Sequence, residues 1–294
     1  MTQRECFFVS DLHGHRERYH TLFELIEQKR PYAVLLGGDL LPSGMLDLIS
    51  SGHSGDDFVD HVLVRGFLEL QRQLGSSYPH VVVILGNDDA RLEETALQQW
   101  GERGLWHYVH NRRFTLDEYT IFGYSYVPPT PFLLKDWERY DVSRFVDPGC
   151  VAPEEGYHSL EIPDRYKQWA TIQEDLASLI PPDRDLQKTL LLFHAPPYHT
   201  KLDRAALDGK MIDAVPLDVH IGSIAIRRFI EQRQPYVTLH GHVHESARMT
   251  GAWQEHIGRT HCFSAAHDGP ELAVVRFDIE CPAHAQRELI ACDS

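Results

Sequence analysis

Positive charge is scarce in this chain of 294 residues, where 28 lysines and arginines stand against 43 aspartates and glutamates. The formal net charge is −15. Proteins that bind the nucleic-acid backbone depend on clustered lysine and arginine, so a polymeric nucleic acid is not the expected partner. Bound divalent cations would reverse the sign of the potential locally, and a small anionic substrate is therefore compatible with the composition.

Cysteine and long apolar runs are also scarce. The five cysteines are odd in number and contain no CxxC pair, which favours a reducing compartment over a disulfide framework. No apolar run is long enough to cross a membrane, and the first residues lead into a predicted strand without the apolar core of a signal peptide. We therefore expect a cytoplasmic protein that does not enter a membrane.

Two common enzyme motifs are missing as well. No G-x-G-x-x-G follows the first predicted strand, which argues against a dinucleotide-binding domain. No G-x-S-x-G is present, which argues against a hydrolase built on a Ser-His-Asp triad. Neither of these enzyme classes is expected.

The most informative stretch that is present joins an apolar, β-branched run to three histidines at alternate positions, residues 236–244. The run predicts a short buried strand, and Gly241 lets the backbone turn tightly at its carboxyl end, where ligands bind in open α/β sheets. His242 and His244 are two residues apart, so both imidazoles can face one small volume. Taken alone, this stretch fits a metal site and a polar loop with chance histidines equally well, since the chain contains 19 histidines.

Three strand-to-helix units begin the chain, and successive units of this kind form a parallel sheet with right-handed crossovers. The predicted strands are residues 6–10, 32–36 and 80–85, and the predicted helices are residues 16–30, 58–74 and a third that ends near residue 100. Asp11 and His13 follow the first strand, Asp39 follows the second and Asn87 follows the third. A fourth buried strand, residues 188–193, ends at His194.

The remainder of the chain is less regular. Its predicted elements are a hairpin at 112–124, helices at 167–180 and 222–232, strands at 251–264 and 271–279, and a polar tail from Cys281. Residues 125–165, rich in proline, glycine and aromatics, are predicted to be an irregular excursion over the active face, so that residues 1–294 form a single domain. The aromatic rings of Trp137, Tyr140 and Phe145 are expected to pack this excursion onto the sheet rather than to stack on a base.

Seven polar side chains follow predicted strands and would meet at one edge of the sheet. They are Asp11, His13, Asp39, Asn87, His194, His242 and His244. Mixed imidazole and oxygen ligands suit Mn, Fe, Zn or Co, whereas Mg and Ca prefer oxygen alone. Seven ligands exceed the needs of one tetrahedral site and match two ions about 3.5–4 Å apart that share a carboxylate. Asp39 is the expected bridge, because the two glycines before it allow the backbone and a metal to approach closely.

The ordered motifs Asp11-x-His13, Gly38-Asp39, Gly86-Asn87, His194 and Gly241-His242-x-His244 resemble the calcineurin-like metallophosphoesterase superfamily. Residues 194–197 and 222–230 resemble its bacterial and archaeal branch of small phosphoesterases. The resemblance implies a four-layer α/β/β/α sandwich with the metals at the carboxyl ends of the strands. It also implies one metal held by Asp11, His13, Asp39 and His244, and a second held by Asp39, Asn87, His194 and His242.

The function implied by this resemblance is a dinuclear metal-dependent phosphoesterase. Two cations would lower the pKa of a bridging water, and the hydroxide would attack phosphorus in line. We favour a phosphodiesterase acting on a small or nucleotide-like phosphate ester. The alternatives are a phosphomonoesterase of the Ser/Thr-phosphatase type and a metal-binding scaffold without turnover.

The position after Asn87 departs from the superfamily, many members of which have there a histidine that can protonate the leaving group. Here the residue is Asp88, and an aspartate beside two dications should be ionised. We expect Asp88 to line the site and to shape the choice of substrate. The predicted catalytic residues are Asp39, Asp88 and His194.

Roles near the metals are predicted for several further side chains. Those expected to contact substrate are Asn87, His15 and His199. Those able to supply a proton in place of the missing histidine are His15, His53, His199 and His220. Those able to orient a metal-bound imidazole are Asp89 and Glu245, although a solvated surface carboxylate is an equal alternative for both.

Overall fold

The computed structural model describes residues 4–44 and 58–292, whose strands form two large sheets and one small hairpin. In chain order the strands are β1 (Glu5–Val9), β2 (Ala33–Gly37), β3 (His80–Ile84), β4 (His107–Tyr108), β5 (Arg113–Leu116), β6 (Tyr119–Tyr124), β7 (Thr189–Phe193), β8 (Met211–Ile212), β9 (Val215–Pro216), β10 (Val237–His240), β11 (Gln254–Ile257), β12 (Thr260–Ser264), β13 (Leu272–Asp278) and β14 (Cys281–Ile290). The α-helices are α1 (Arg16–Lys29), α2 (Arg65–Leu74), α3 (Glu94–Glu102), α4 (Asp164–Trp169), α5 (Ile172–Leu179), α6 (Ile224–Arg233) and α7 (Ser246–Thr250).

The two large sheets are both mixed. The first has the order β14-β13-β1-β2-β3-β4, and its strands β1 to β4 are parallel, while β13 pairs antiparallel with β1 and β14 pairs antiparallel with β13. The second has the order β11-β12-β10-β7-β6-β5, with β6, β7, β10 and β12 parallel. The parallel strands of each sheet therefore end along one edge, and polar loop residues follow them there.

Alternation of side chains along the strands produces the layers, because successive residues of a strand face opposite sides of the sheet. Phe8 and Leu35 of the first sheet share a buried cluster with Leu192 and Leu239 of the second, so the sheets pack face to face. The intervening residues contact helices instead, in a buried cluster that includes Leu22 of α1, Phe67 of α2 and Leu176 of α5. The result is two large sheets flanked by helices, and the predicted fold class is confirmed.

The predicted polar tail from Cys281 is wrong, because these residues form β14, a strand of ten residues. It pairs antiparallel with β13 at the edge of the first sheet. Most of its side chains are exposed or half-buried, so the strand carries polar residues on both faces. A strand held mainly by backbone pairing at an edge lacks the apolar alternation that would identify it from sequence.

Two helix predictions also need correction. The helix predicted at 167–180 is two helices, α4 and α5, separated at Ala170 and Thr171, which have extended backbones. The side chain of Thr171 accepts a hydrogen bond from the Glu174 amide and caps α5, which explains the break. The helix predicted at 58–74 begins with a π-helical turn, Val59–Val64, before α2. The strand predicted at 251–264 is the hairpin of β11 and β12.

Between β6 and α4 the chain forms isolated bridges instead of regular strands, as predicted for the excursion. Trp137 and Tyr140 are buried and pack it in place, whereas Phe145 is exposed. The Asp141 carboxylate accepts a hydrogen bond from the Ile224 amide at 2.6 Å and so ties the excursion to the start of α6. That the excursion covers the active face stays a prediction, as does a single domain over the whole chain. Among the residues described, no helix is long and apolar enough to span a membrane.

Candidate metal centre

The predicted ligands lie in the loops that directly follow the parallel strands, and four of these residues have strained backbones. The φ angle is 58° at Asp11, 47° at His13, 50° at Asp39 and 73° at His242, all in the left-handed region. Each such residue costs about 1–3 kcal/mol and persists only where surrounding contacts determine it. Four such residues in the loops that carry the predicted ligands make this edge of the sheets the candidate functional site.

A first group of side chains comprises Asp11, His13, Asp39 and His244, one ligand atom of each lying within 4.8 Å of all the others. Nε2 of His244 lies 3.1 Å from Nε2 of His13 and 3.2 Å from Oδ1 of Asp11. Nε2 of His13 lies 3.8 Å from Oδ2 of Asp39. Two imidazoles and two carboxylates thus face one small volume.

A second group meets on the other side of Asp39. Oδ2 of Asp39 lies 3.2 Å from Nε2 of His194, and the same nitrogen lies 3.1 Å from Oδ1 of Asn87. The ring of His242 packs against that of His194 with their centroids 5.4 Å apart. All seven predicted ligands are therefore brought to one edge, with a single oxygen of Asp39 between the imidazoles of His13 and His194.

The spacing of these atoms fits metal ions. Ligands about 2.0–2.1 Å from an ion lie about 2.9–3.4 Å from one another in octahedral or tetrahedral geometry. The N–N and N–O separations of 3.1–3.2 Å in both groups match this range. Imidazole nitrogens and carboxylate oxygens that converge at such distances form a group that could hold a metal ion.

Two of the imidazoles are oriented through their other ring nitrogen. Nδ1 of His194 lies 2.8 Å from the carbonyl of Gly37 and donates to it, which leaves the Nε2 lone pair facing Asp39 and Asn87. Nδ1 of His13 lies 3.2 Å from Oδ2 of Asp88, which orients that ring in the same way. Neither partner is among the two predicted for this role, Asp89 and Glu245.

Asp89 instead holds two of the ligand loops together. Its carboxylate is fully buried and accepts hydrogen bonds from the amides of Leu40 at 2.9 Å, Leu41 at 2.7 Å and Gly86 at 2.8 Å. Burial and the charge of Asp39 raise the pKa of Asp89 to about 7, although these amides favour its ionised form. Glu245 accepts from the amide of Ala206 at 2.9 Å. Neither Asp89 nor Glu245 therefore makes the predicted contact with an imidazole.

Glycine is required where the two ligand loops pass each other. A Cβ on Gly86 would lie 2.3 Å from Oδ1 of Asp39 and 2.6 Å from Cε1 of His194. A Cβ on Gly241 would lie 2.6 Å from Oδ2 of Asp11. Any larger residue at either position would displace a candidate ligand.

The electrostatics of the groups are dominated by burial and by the carboxylates. Burial opposes protonation of His194, but the Asp39 carboxylate outweighs it and raises the pKa of His194 to about 9. Burial likewise opposes protonation of His13, but Asp88, Asp39 and Asp11 together raise its pKa to about 9. Burial and the nearby His194 lower the pKa of His242 to about 3, so this ring is neutral at pH 7. A cation would meet two ionised carboxylates here and would compete with protons for His13 and His194.

The other predicted site residues are placed as follows. The Asp88 carboxylate is half-buried and accepts from Ser43 Oγ at 2.8 Å as well as facing His13. His15 is the residue before α1, and burial lowers its pKa. His199 and His220 pack against each other with ring centroids 4.5 Å apart, in the loop between β7 and α6. His53 lies outside the described residues.

One contact could not be found from the sequence. Arg18, buried in α1, donates from Nη1 to the carbonyl of Asp11 at 2.9 Å and from Nη2 to that of Gly269 at 2.5 Å. It thereby supports the left-handed backbone of a candidate ligand from a position that looks like an ordinary charged residue of an amphipathic helix. Only the packing of α1 against the loop after β12 reveals it.

Comparison with known proteins agrees with this geometry. The family model described as calcineurin-like phosphoesterase matches residues 6–246, which contain all seven candidate ligands. The chain belongs to the calcineurin-like phosphoesterase family. As a member of that family it is a metallophosphoesterase, and the cluster of Asp11, His13, Asp39 and His244 could bind a metal. No curated protein sequence gives a significant match.

Solved structures share the fold of this calcineurin-like phosphoesterase at low sequence identity. One crystal structure aligns with a TM-score of 0.60 at 16% identity, over 99% of this chain and 100% of its own. TT1561 of Thermus thermophilus aligns with a TM-score of 0.55 at 16% identity, over 99% of this chain and 100% of that protein. A weaker alignment, with a TM-score of 0.45 at 10% identity, is to a novel archaeal phosphodiesterase, over 97% of this chain and 99% of its own.

Proposed function

We propose that this protein is a dinuclear metal-dependent phosphoesterase that hydrolyses a small phosphate ester, with a preference for diesters. The observation that carries the proposal is the position of Asp39, one oxygen of which lies between the imidazoles of His13 and His194. A carboxylate shared in this way suits a pair of ions about 3.5–4 Å apart. Mn, Fe and Zn are the ions best suited to the mixed oxygen and imidazole ligands.

The residues of each half-site follow from the two groups of side chains. Asp11, His13, Asp39 and His244 would hold one ion, and Asp39, Asn87, His194 and His242 the other. When bound, such ions supply a water activated for attack on phosphorus and neutralise charge on the phosphoryl oxygens. The chain's own residues fix the ligand geometry: Gly37 and Asp88 orient the imidazoles of His194 and His13, and Asp89 holds the loops of Asp39 and Asn87 in register.

A preference for diesters is supported by the extra carboxylate at the site. Asp88 lies against His13 without belonging to the group of four, and it would place a negative charge beside an ester bound at the proposed metal site. A phosphate monoester is largely a dianion at neutral pH and a diester is a monoanion, so Asp88 repels the monoester more strongly. The rings of Trp137 and Tyr140 are buried and give no support to stacking on a base, so the proposal specifies a small phosphate ester without a nucleoside group.

The net charge and the cysteines bear on the substrate class and on the cellular location. We propose a small phosphate ester as the substrate and not a polymeric nucleic acid, in keeping with the net charge of −15. We also propose a cytoplasmic location, where the five cysteines would stay in the thiol form that they have here.

The test is hydrolysis of bis(4-nitrophenyl) phosphate and 4-nitrophenyl phosphate by the manganese-loaded protein, with a chelator-treated sample as control. We expect manganese-dependent turnover of both with the larger kcat/KM for the diester. A larger kcat/KM for the monoester would instead favour the phosphomonoesterase. A protein that binds two manganese ions and hydrolyses neither ester would contradict the proposal and favour a scaffold.

A further inference from the structure

A second group of polar side chains is organised around Asp203, in the loop between β7 and α6. Its carboxylate is completely buried, yet no lysine or arginine of the described residues donates to it. It accepts instead from the amides of His199 at 2.9 Å, Thr200 at 2.8 Å and Gly222 at 3.2 Å, and from Nδ1 of His220 at 2.8 Å. A buried carboxylate held by three backbone amides is a rigid acceptor for the imidazole.

This contact orients His220. With Nδ1 directed at Asp203, the nitrogen left for other partners is Nε2. The side chain of His220 keeps 20% of its surface exposed, so it can meet a small molecule. The ring of His199 packs beside it, and His199 itself has a left-handed φ of 55°. Strain at a non-glycine residue again marks a determined local structure.

Asp203 contacts the ring of His220, whereas the side chains of the neighbouring Tyr198 and Arg204 are bonded to other residues. The ring of Tyr198 lies 6.1 Å away, and its hydroxyl donates to Asp218 at 2.7 Å. The Asp218 carboxylate also accepts from the backbone amide of His220 at 2.8 Å. Arg204, paired with His220 through a backbone bridge, directs its guanidinium to Asp208.

The chain connects this cluster closely to the metal centre. A Cβ on Gly222 would lie 2.7 Å from the carbonyl oxygen of Pro196, so the turn at residues 220–222 packs directly on the second residue after His194. Two residues of extended chain span at most about 7 Å. On the other side of the loop, the amide of Ala206 donates to Glu245, which follows His244. The Asp203 cluster therefore stands beside the loops that carry two candidate ligands.

We propose that His220, oriented by Asp203, protonates the leaving-group oxygen of the phosphate ester, an inference that rests on the proposed function. Water forms a new bond from its oxygen to phosphorus and loses a proton to solvent. The bond between phosphorus and the leaving oxygen breaks, its electron pair stays on that oxygen, and the proton passes to it from Nε2 of the imidazolium. The neutral imidazole then regains a proton from solvent. Asp88 is poorly suited to this role, because its carboxylate is already engaged with His13 and Ser43.

The histidine at position 267 offers a comparable arrangement. Nε2 of His267 lies 2.9 Å from Oε2 of Glu271, in the loop that Arg18 connects to Asp11. The Glu271 side chain is 36% exposed, whereas Asp203 is fully buried, so the contact of His267 is weaker and less fixed. The His267→Gln variant therefore belongs in the same experiment.

The experiment compares methyl 4-nitrophenyl phosphate, which has a good leaving group, with methyl phenyl phosphate, which has a poor one. Proton donation matters for the poor leaving group, so His220→Gln should lower kcat on the phenyl ester by about 100-fold or more and on the nitrophenyl ester by less than about threefold. The matched control is His20→Gln on the exposed face of α1, which should change neither rate. In His220→Ala, added imidazole should restore turnover of the phenyl ester, an effect that a structural role would not produce.

Three outcomes would overturn the inference. Equal losses on the two esters, or no loss, would show that His220 does not protonate the leaving group. A selective loss on the phenyl ester in His267→Gln, with His220→Gln unchanged, would assign the proton to His267. A wild-type protein that loads manganese and hydrolyses neither diester would remove the proposed function, and this inference with it, which distinguishes that failure from the first two.

Discussion

Nδ1 of His13 lies 3.2 Å from Oδ2 of Asp88, while Nε2 of the same ring lies 3.1 Å from Nε2 of His244. One imidazole thus connects the residue after Asn87 to the group of candidate ligands. Asp88 is thereby a positioning residue for His13 and at the same time a fixed negative charge beside the site. These two roles can be separated by substitution.

Asp88→Asn removes the charge and keeps a side-chain oxygen that can face His13. We expect the ratio of diester to monoester kcat/KM to fall about fivefold, because one charge about 4 Å away contributes about 1 kcal/mol at the dielectric constant of water, and the Asp88 side chain is partly exposed to solvent. The measurement is the pair of chromogenic esters under saturating manganese. Asp183→Asn, a neutralisation on the exposed surface, is the control and should leave the ratio unchanged. A ratio that is unchanged in Asp88→Asn as well would remove the charge argument for diesters.

Asp39→Ala and His242→Ala test the two-metal assignment. Asp39 lies between both groups, so its loss should abolish turnover, by at least about 1,000-fold, and lower the bound metal from two ions per chain towards none. His242→Ala should remove the second ion preferentially, because its ring packs against His194 of the second group. Metal analysis after desalting gives the ion count, and circular dichroism checks the fold. Wild-type turnover in either variant would show the assignment to be wrong.

Asp89→Ala should destabilise the protein without touching a ligand. Three backbone amides would lose their acceptor in a buried position, and each unsatisfied donor costs about 1–3 kcal/mol. We expect the free energy of unfolding in urea to fall by about 3 kcal/mol or more, and by less in Asp89→Asn, which keeps one acceptor oxygen. Similar stability of Asp89→Ala and the wild type would contradict the role of Asp89 in joining the loops.

The buried His110 should make stability depend on pH. Burial and the nearby Arg91, Arg139 and Arg112 lower its pKa well below the ordinary value of 6.5, and its Nδ1 accepts from the Ser125 amide at 3.0 Å. Below about pH 6.5, His110 binds a proton in the unfolded chain but not in the folded protein. His110 therefore lowers the free energy of unfolding as the pH falls, by up to about 1.4 kcal/mol per pH unit.

His110→Gln isolates this contribution from other titrating groups. Urea unfolding of the chelator-treated wild type and variant should be measured at about pH 7.5, 6.5 and 5.5, on both sides of the ordinary histidine pKa. We expect the wild type to lose stability faster than the variant over the lower part of this range, so that the difference between them shrinks. Parallel losses in both proteins would show that His110 does not titrate as its surroundings imply.

Much of this site could be predicted because its signal is local. A short apolar run followed by glycine and a metal-ligating residue is a feature of contiguous sequence, and its recurrence along the chain predicted that the ligands share one edge. Parallel strands run in the same direction, so their carboxyl ends lie along one edge of the sheet and the residues that follow them come together there. Asp39 was predicted as the shared carboxylate from its place after two glycines; its Oδ2 lies between the imidazoles of His13 and His194, and the shared role stays a proposal.

Other features depend on residues distant in sequence and carry no local signal. β14 is polar on both faces and exists because β13 offers it backbone partners. Asp89 looks like a partner for an imidazole from its position in the chain, yet it binds the amides of Leu40 and Leu41, 49 and 48 residues away, because two loops converge on it. Arg18 likewise shows no pattern that distinguishes it from other charged residues of α1.

The amino-acid sequence by itself determined the class of fold, the family and the ligand types, since periodicity and short motifs are written in neighbouring residues. The tertiary structure alone decided which groups orient those ligands and the histidine proposed as proton donor: Asp88 on His13, the Gly37 carbonyl on His194 and Asp203 on His220. Such contacts are fixed by where loops from separate strands cross, and their directional hydrogen bonds form only after the apolar faces of the sheets have packed.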